Sequence, residues 1–156
     1  MTQPTVVFFG PDELGSPKVF LRTLLYSTSK RGHIVESMWV KLRHAEASQL
    51  FNIWVYGDSA LVRGSGLHVA ENGVVCNHHF LLPYGAKYDF APGEHRVEIY
   101  ASLVKGSKEL LLSQITLSLT EGDAAGLKWS TSGVYFDWAP DSRKYEPHIH
   151  VRPDAT

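Results

Sequence analysis

Near its C-terminus the chain reads Glu146-Pro147-His148-Ile149-His150-Val151-Arg152. On an extended strand Glu146, His148 and His150 leave from one face and Pro147, Ile149 and Val151 from the other, because successive side chains alternate. Same-face neighbours then stand roughly 6.6 Å apart along the backbone. That lets two imidazoles and a carboxylate meet on one divalent metal ion, a facial set of two histidines and one carboxylate. The competing account is the polar face of an edge strand, which Pro147 also favours because it has no N–H to give a neighbour. His78 and His79 are adjacent, so their rings point to opposite sides of a strand and at most one joins a site. His78 shares a side with Cys76, a spacing that suits a thiol–imidazole pair. A small buried hydrophobe is the plainer account of that cysteine. His33, His44, His68 and His95 have no partner that spacing identifies.

A second pattern is aromatic. Trp39, Trp54, Tyr56 and Tyr100 fall on registers opposite the more aliphatic ones, interleaved with Lys41, Arg43, Asn52, Arg96 and Glu98. A sheet face of this kind suits a glycan, a peptide, a protein partner or a second copy of the chain, since aromatic residues and arginine are enriched where partners bury a surface. The alternative is structural: registers swap in some strands and these rings pack inside.

Gly57-Asp58-Ser59-Ala60 follows the run Phe51–Tyr56 and resembles the nucleophile block of the GDSL lipase/esterase family. That resemblance would make Ser59 a nucleophile on a parallel α/β scaffold, with an Asp-x-x-His near the C-terminus. The fourth residue departs from the family's leucine, and Glu146 lies two residues before His148 and four before His150, so the required spacing is absent. Gly-Asp-Ser is an ordinary turn. Gly64-Ser65-Gly66 is a lone glycine pair without the strand–loop–helix setting of a phosphate-binding loop.

The elements that must position these residues are strands. Val97, Ile99, Ala101 and Leu103 alternate with Arg96, Glu98, Tyr100 and Ser102. Met38, Val40 and Leu42 alternate with Ser37, Trp39, Lys41 and Arg43. Phe51, Ile53 and Val55 alternate with Asn52, Trp54 and Tyr56, and Leu111, Ile115, Leu117 and Leu119 with Gln114, Thr116 and Ser118. A period of two over so many segments marks half-buried antiparallel strands. In Val134–Pro140, Phe136 and Trp138 are expected inside and Tyr135 and Asp137 outside. Asn72-Gly73 predicts a hairpin between Leu67–Glu71 and Val74–Leu82, and Lys105–Lys108 predicts another. Arg43–Gln49 holds good helix formers and is the one place for a short helix. Gly10–Pro17, Gly122–Gly126 and the two chain ends, residues 1–4 and 153–156, read as loose.

Pro92-Gly93 fits the centre of a type II turn. The run Pro92–Ile99 resembles the corner entering a late strand of an immunoglobulin-like domain. There His95 stands at the position often held by tyrosine in such domains.

The 156 residues carry 15 Lys+Arg against 16 Asp+Glu, a net charge of −1. This length predicts one domain, and the balance argues against a nucleic-acid binder, which needs a basic excess or stripe. One cysteine excludes an intrachain disulfide and a multi-cysteine zinc site. No apolar run reaches the ~20 residues of a membrane span. The N-terminus lacks the pattern of a signal peptide, so a cytoplasmic protein is expected. The fold expected is one all-β antiparallel sandwich over residues 1–156, immunoglobulin-like, with at most one short helix; a closed barrel is the alternative. Three functions follow in order. The first is a non-catalytic binding module, for a protein, peptide or glycan or for a second copy of itself, that needs no cofactor, nucleic acid or membrane. The second is a protein or enzyme holding a divalent metal on Glu146, His148 and His150. The third is a small-molecule carrier, should the fold be a barrel.

Overall fold

The computed structural model describes residues 1–58, 60–129 and 131–152. Two antiparallel sheets stack over one hydrophobic core. The larger sheet runs, edge to edge, β12 (Lys144–Val151), β11 (Ser132–Ala139), β1 (Val6–Pro11), β2 (Pro17–Leu25), β8 (Val74–Leu81), β5 (Ile53–Tyr56) and β6 (Val62–Arg63). The smaller runs β10 (Leu110–Leu119), β9 (Gly93–Leu103), β3 (His33–His44) and β4 (Ala47–Phe51), with β7 (Leu67–Val69) pairing the start of β3. Both sheets end in edge strands, so the barrel alternative is set aside in favour of the sandwich arrangement.

The core is where the period of two predicts it across the smaller sheet. Met38, Val40, Leu42, Val97, Ile99 and Ala101 point inward and meet Val7, Phe9, Leu21, Phe80 and Phe136 from the larger sheet. Phe136 is buried and Trp138 half-buried, with Asp137 outside.

Several local expectations change. Among the described residues the one helix, α1 (Glu121–Gly126), forms in the stretch expected to be loose. Thr120 and Asp123 make a capping box: Thr120 Oγ1 accepts from the Asp123 N–H at 3.1 Å, and Asp123 Oδ2 accepts from the Thr120 N–H at 3.0 Å. Reciprocal capping satisfies two N–H groups that a helix start leaves bare. At Arg43–Gln49 helix propensity yields to strand pairing, because His44 and Ala47 close a hairpin whose Ala45 sits at φ +49. Asn72-Gly73 turns the chain, but β7 pairs in the smaller sheet and β8 in the larger, so the turn is a crossing between sheets rather than a hairpin. The Lys105 hairpin between β9 and β10 forms as expected.

The first residues are tied down. Thr2 N–H donates to Leu24 O at 2.9 Å, and Tyr145 OH donates to Pro4 O at 2.7 Å. In the segment Gly10–Pro17, Asp12 Oδ1 accepts from the Leu14 and Ser16 N–H groups, both at 2.8 Å. Residues 153–156 lie outside the described residues, as does Ser59. Among the described residues no helix is long and apolar enough to cross a membrane.

Candidate functional site

The four aromatic candidates do not share a face. Trp54 is 2% exposed and lies in the core of the larger sheet. The reason is a change of parity: Phe51 ends β4 with its ring inward, Asn52 carries the chain across to the other sheet, and in β5 Trp54 points inward opposite Phe80. Gly64 makes room for the indole, since a Cβ there would lie 2.2 Å from Trp54 Cε3. Trp54 Nε1 donates to His78 Nδ1 at 3.1 Å, which places the His78 proton on Nε2, where it has no partner among the described residues. Burial, with the neighbouring His79, pushes His78 down to about 4, so the ring is neutral. Tyr56 packs half-buried beside Trp54, ring centroids 5.1 Å apart, with its OH donating to Gly66 O at 3.4 Å. Cys76 is buried and burial raises its thiol, while the ring two residues on is engaged by Trp54. A thiol–imidazole pair is therefore not assembled.

Trp39 and Tyr100 do stand together. They are paired across β3 and β9 on the outer face of the smaller sheet, with ring centroids 5.8 Å apart and planes 8° from parallel. Lys41, two residues on, puts its Nζ 5.7 Å from the Tyr100 centroid. Below them lies Glu98, 5% exposed although it sits on the outer face. A carboxylate there survives only if it is compensated. Arg43 Nε donates to Oε1 at 2.8 Å, Arg96 Nε lies 3.2 Å from the same oxygen, and Tyr100 OH donates to Oε2 at 2.9 Å. Burial alone would raise this carboxyl; the bonds from Arg43 and Tyr100 and the two guanidinium charges more than reverse it and hold it below its usual range. The face thus presents a parallel aromatic pair with Lys41 over one ring, and two guanidiniums gathered on one shielded anion. Beside it a groove of about 430 Å³ is lined by Arg43, His44, Ala45, Glu94 and Arg96.

The chain matches no protein family, no curated protein and no solved structure. The reading therefore rests on the geometry.

Glu146, His148 and His150 all lie exposed on the outer side of β12, an edge strand. They do not gather on a common point. His148 Nδ1 turns to Asp137 Oδ2 at 3.1 Å on β11 and stacks on Tyr135, with centroids 5.5 Å apart. Among the described residues no three His, Cys, Asp or Glu side chains are grouped to hold a metal ion.

Three of the four histidines without an evident partner, all but His68, acquire one from the fold. His33 Nδ1 lies 2.7 Å from Ser27 Oγ, His44 Nδ1 donates to Glu94 O at 2.9 Å, and His95 Nε2 donates to Ala91 O at 2.7 Å. At one end of the sandwich a cavity of about 340 Å³ lies between Pro11, Pro17, Tyr88, Phe90, Leu127 and Trp129, whose indole is 70% exposed. The role of Glu98 escaped the sequence. Its alternation with Arg96 and Tyr100 is visible there, but the approach of Arg43 depends on the β3–β9 register.

Proposed function

We propose that the protein is a non-catalytic binding module whose ligand face is the outer side of the smaller sheet, centred on Trp39 and Tyr100. The observation that carries this reading is the half-exposed, parallel pair set against Lys41, Arg43 and Arg96, all on inner strands that the sandwich holds rigid. Aromatic and arginine side chains dominate binding energy where a partner covers them, and a site on paired strands is positioned more accurately than one on loops.

The immunoglobulin-like form of the sandwich belongs to the same proposal. It is supported by His95, which follows the Pro92-Gly93 turn and bonds back to Ala91 O as a corner tyrosine does in such domains. The competing metal reading retains only the same-face spacing of Glu146, His148 and His150. Elemental analysis of protein purified without chelator separates the two, and one bound metal per chain favours the metal reading. The carrier reading loses its premise with the barrel.

The test is binding to glycan and peptide arrays with Trp39→Ala beside the native chain, and sedimentation of both. A ligand retained by the native chain and lost by the variant supports the reading. Unchanged binding in the variant contradicts it, as does a concentration-dependent dimer that Trp39→Ala dissolves, since the occupant would then be a second copy.

A further inference from the structure

We infer that the occupant of this face is an anionic glycan, a pyranose chain bearing carboxylate or sulfate groups; the inference rests on the binding face proposed above.

The first support is how the two arginines are held. Each meets Glu98 through Nε, Arg43 also interacts with the Tyr100 hydroxyl, and no other carboxylate pairs with either guanidinium among the described residues. The carboxylate fixes the position of both side chains and leaves their terminal amino groups for a ligand. Lys41 lies over the Tyr100 ring, on which Glu109 also acts, and Glu94 stands at the rim of the groove, so the positive charge of this face is local to the two guanidiniums. Guanidinium forks match planar or tetrahedral oxyanions with two parallel N–H···O bonds. Glu98 acts here as a positioning residue.

The second support is the aromatic pair. Trp39 and Arg43 are four residues apart on β3, roughly 13 Å by the strand rise. That separation fits a short oligosaccharide, with ring faces against the indole and an acidic group in the groove of about 430 Å³.

The third support decides between an acidic glycan and an acidic peptide. Around the arginines the ladder is full: β3 over Val40–Arg43 is paired by β4 and β9, and β9 over Arg96–Ile99 by β3 and β10. An extended peptide on this face finds no ladder to join, and strand addition is the usual means by which a peptide binds a sheet. A glycan has no such ladder to fill, and its hydroxyls stay in water. A nucleic-acid strand fits less well, because beyond this patch the chain carries no basic excess to release counterions.

The experiment is calorimetric titration of the native chain with oligogalacturonate, its methyl ester, sulfated dextran, plain dextran, poly-glutamate and oligothymidylate. We expect oligogalacturonate or sulfated dextran to bind at least about tenfold more tightly than its uncharged counterpart, and the difference to shrink as salt rises. Arg43→Ala with Arg96→Ala should abolish that difference. Arg43→Lys with Arg96→Lys, which keeps the charge but removes the fork, should weaken binding by about threefold or more while folding is retained. Glu98→Gln should weaken it also.

Equal binding of charged and uncharged sugars overturns the inference while leaving the binding face intact. Poly-glutamate or oligothymidylate binding as tightly as the best glycan overturns it too, as does the absence of binding to either acidic glycan. Binding that Trp39→Ala leaves untouched removes the face itself.

Discussion

Replacing Trp54 by alanine should cost far more stability than replacing Trp39, although both tryptophans belong to the same alternating pattern. Trp54 is 2% exposed, lies against Phe80 across the strand pair and spends its N–H on His78. Truncation of a buried tryptophan costs about 3–5 kcal/mol, combining lost transfer energy with the cavity left behind. His78 Nδ1 would also lose its only donor. Against a total of roughly 5–15 kcal/mol for a folded chain, that is about a fifth of the stability or more. At about 2–4 °C per kcal/mol for a chain of this size, the midpoint should fall by about 6–20 °C. Trp39 gives up one parallel ring contact on a half-exposed face, worth about 0.5–1.5 kcal/mol, so its midpoint should fall by only a few degrees. Thermal unfolding followed by far-ultraviolet circular dichroism compares the three proteins directly. A Trp39→Ala variant as destabilised as Trp54→Ala would refute the assignment of one ring to the core and the other to the face.

Gly133→Ala should destabilise by about 1–3 kcal/mol, because its new Cβ would stand 2.1 Å from Phe8 Cε2. In a Phe8→Ala background the same change should be neutral or slightly stabilising; an equal loss in both backgrounds contradicts the packing of Phe8 over that glycine. Acid should weaken the fold before the carboxylates titrate. Burial holds His78 and His79 at about 4 against 6.5, with His79 also lowering His78 and Lys18 lowering His79. Between those values the unfolded chain binds more protons, so stability is complete above 6.5 and falls as pH drops, by up to about 1.4 kcal/mol per pH unit for each histidine. Denaturant titrations across that window check this, and a flat profile contradicts it. Glu98→Gln removes the charge that both guanidiniums share, so it should lower the midpoint and weaken ligand binding together. Retention of full affinity would show that the arginines need no anchor.

The period of two made the inner faces of β3 and β9 legible, because Met38, Val40 and Leu42 and Val97, Ile99 and Ala101 lie on uninterrupted strands. It failed where the backbone resets parity. Asn52 crosses between sheets and turns Trp54 inward, while a bulge between Leu111 and Ser113 leaves Leu111 outside opposite Tyr100. Helix propensity alone points to Arg43–Gln49, whereas the Thr120-x-x-Asp123 capping spacing marks where the helix forms and is the stronger signal. Of the candidate site, Trp39 and Tyr100 could be read as outward-facing from alternation alone, though not as partners. The burial of Glu98 and the turning of His148 to Asp137 could not, since both depend on cross-strand register, which the pattern within a single strand does not specify.

The side-chain N–H resonances of the tryptophans and arginines, followed in a nuclear magnetic resonance titration with oligogalacturonate or sulfated dextran, report on each surface separately. The account predicts that the indole signal of Trp39 and the Nε signals of Arg43 and Arg96 shift together and saturate together, while the indole of Trp54 stays fixed. Movement confined to Trp129 or Trp138, with Trp39 silent, would place the ligand elsewhere and contradict it.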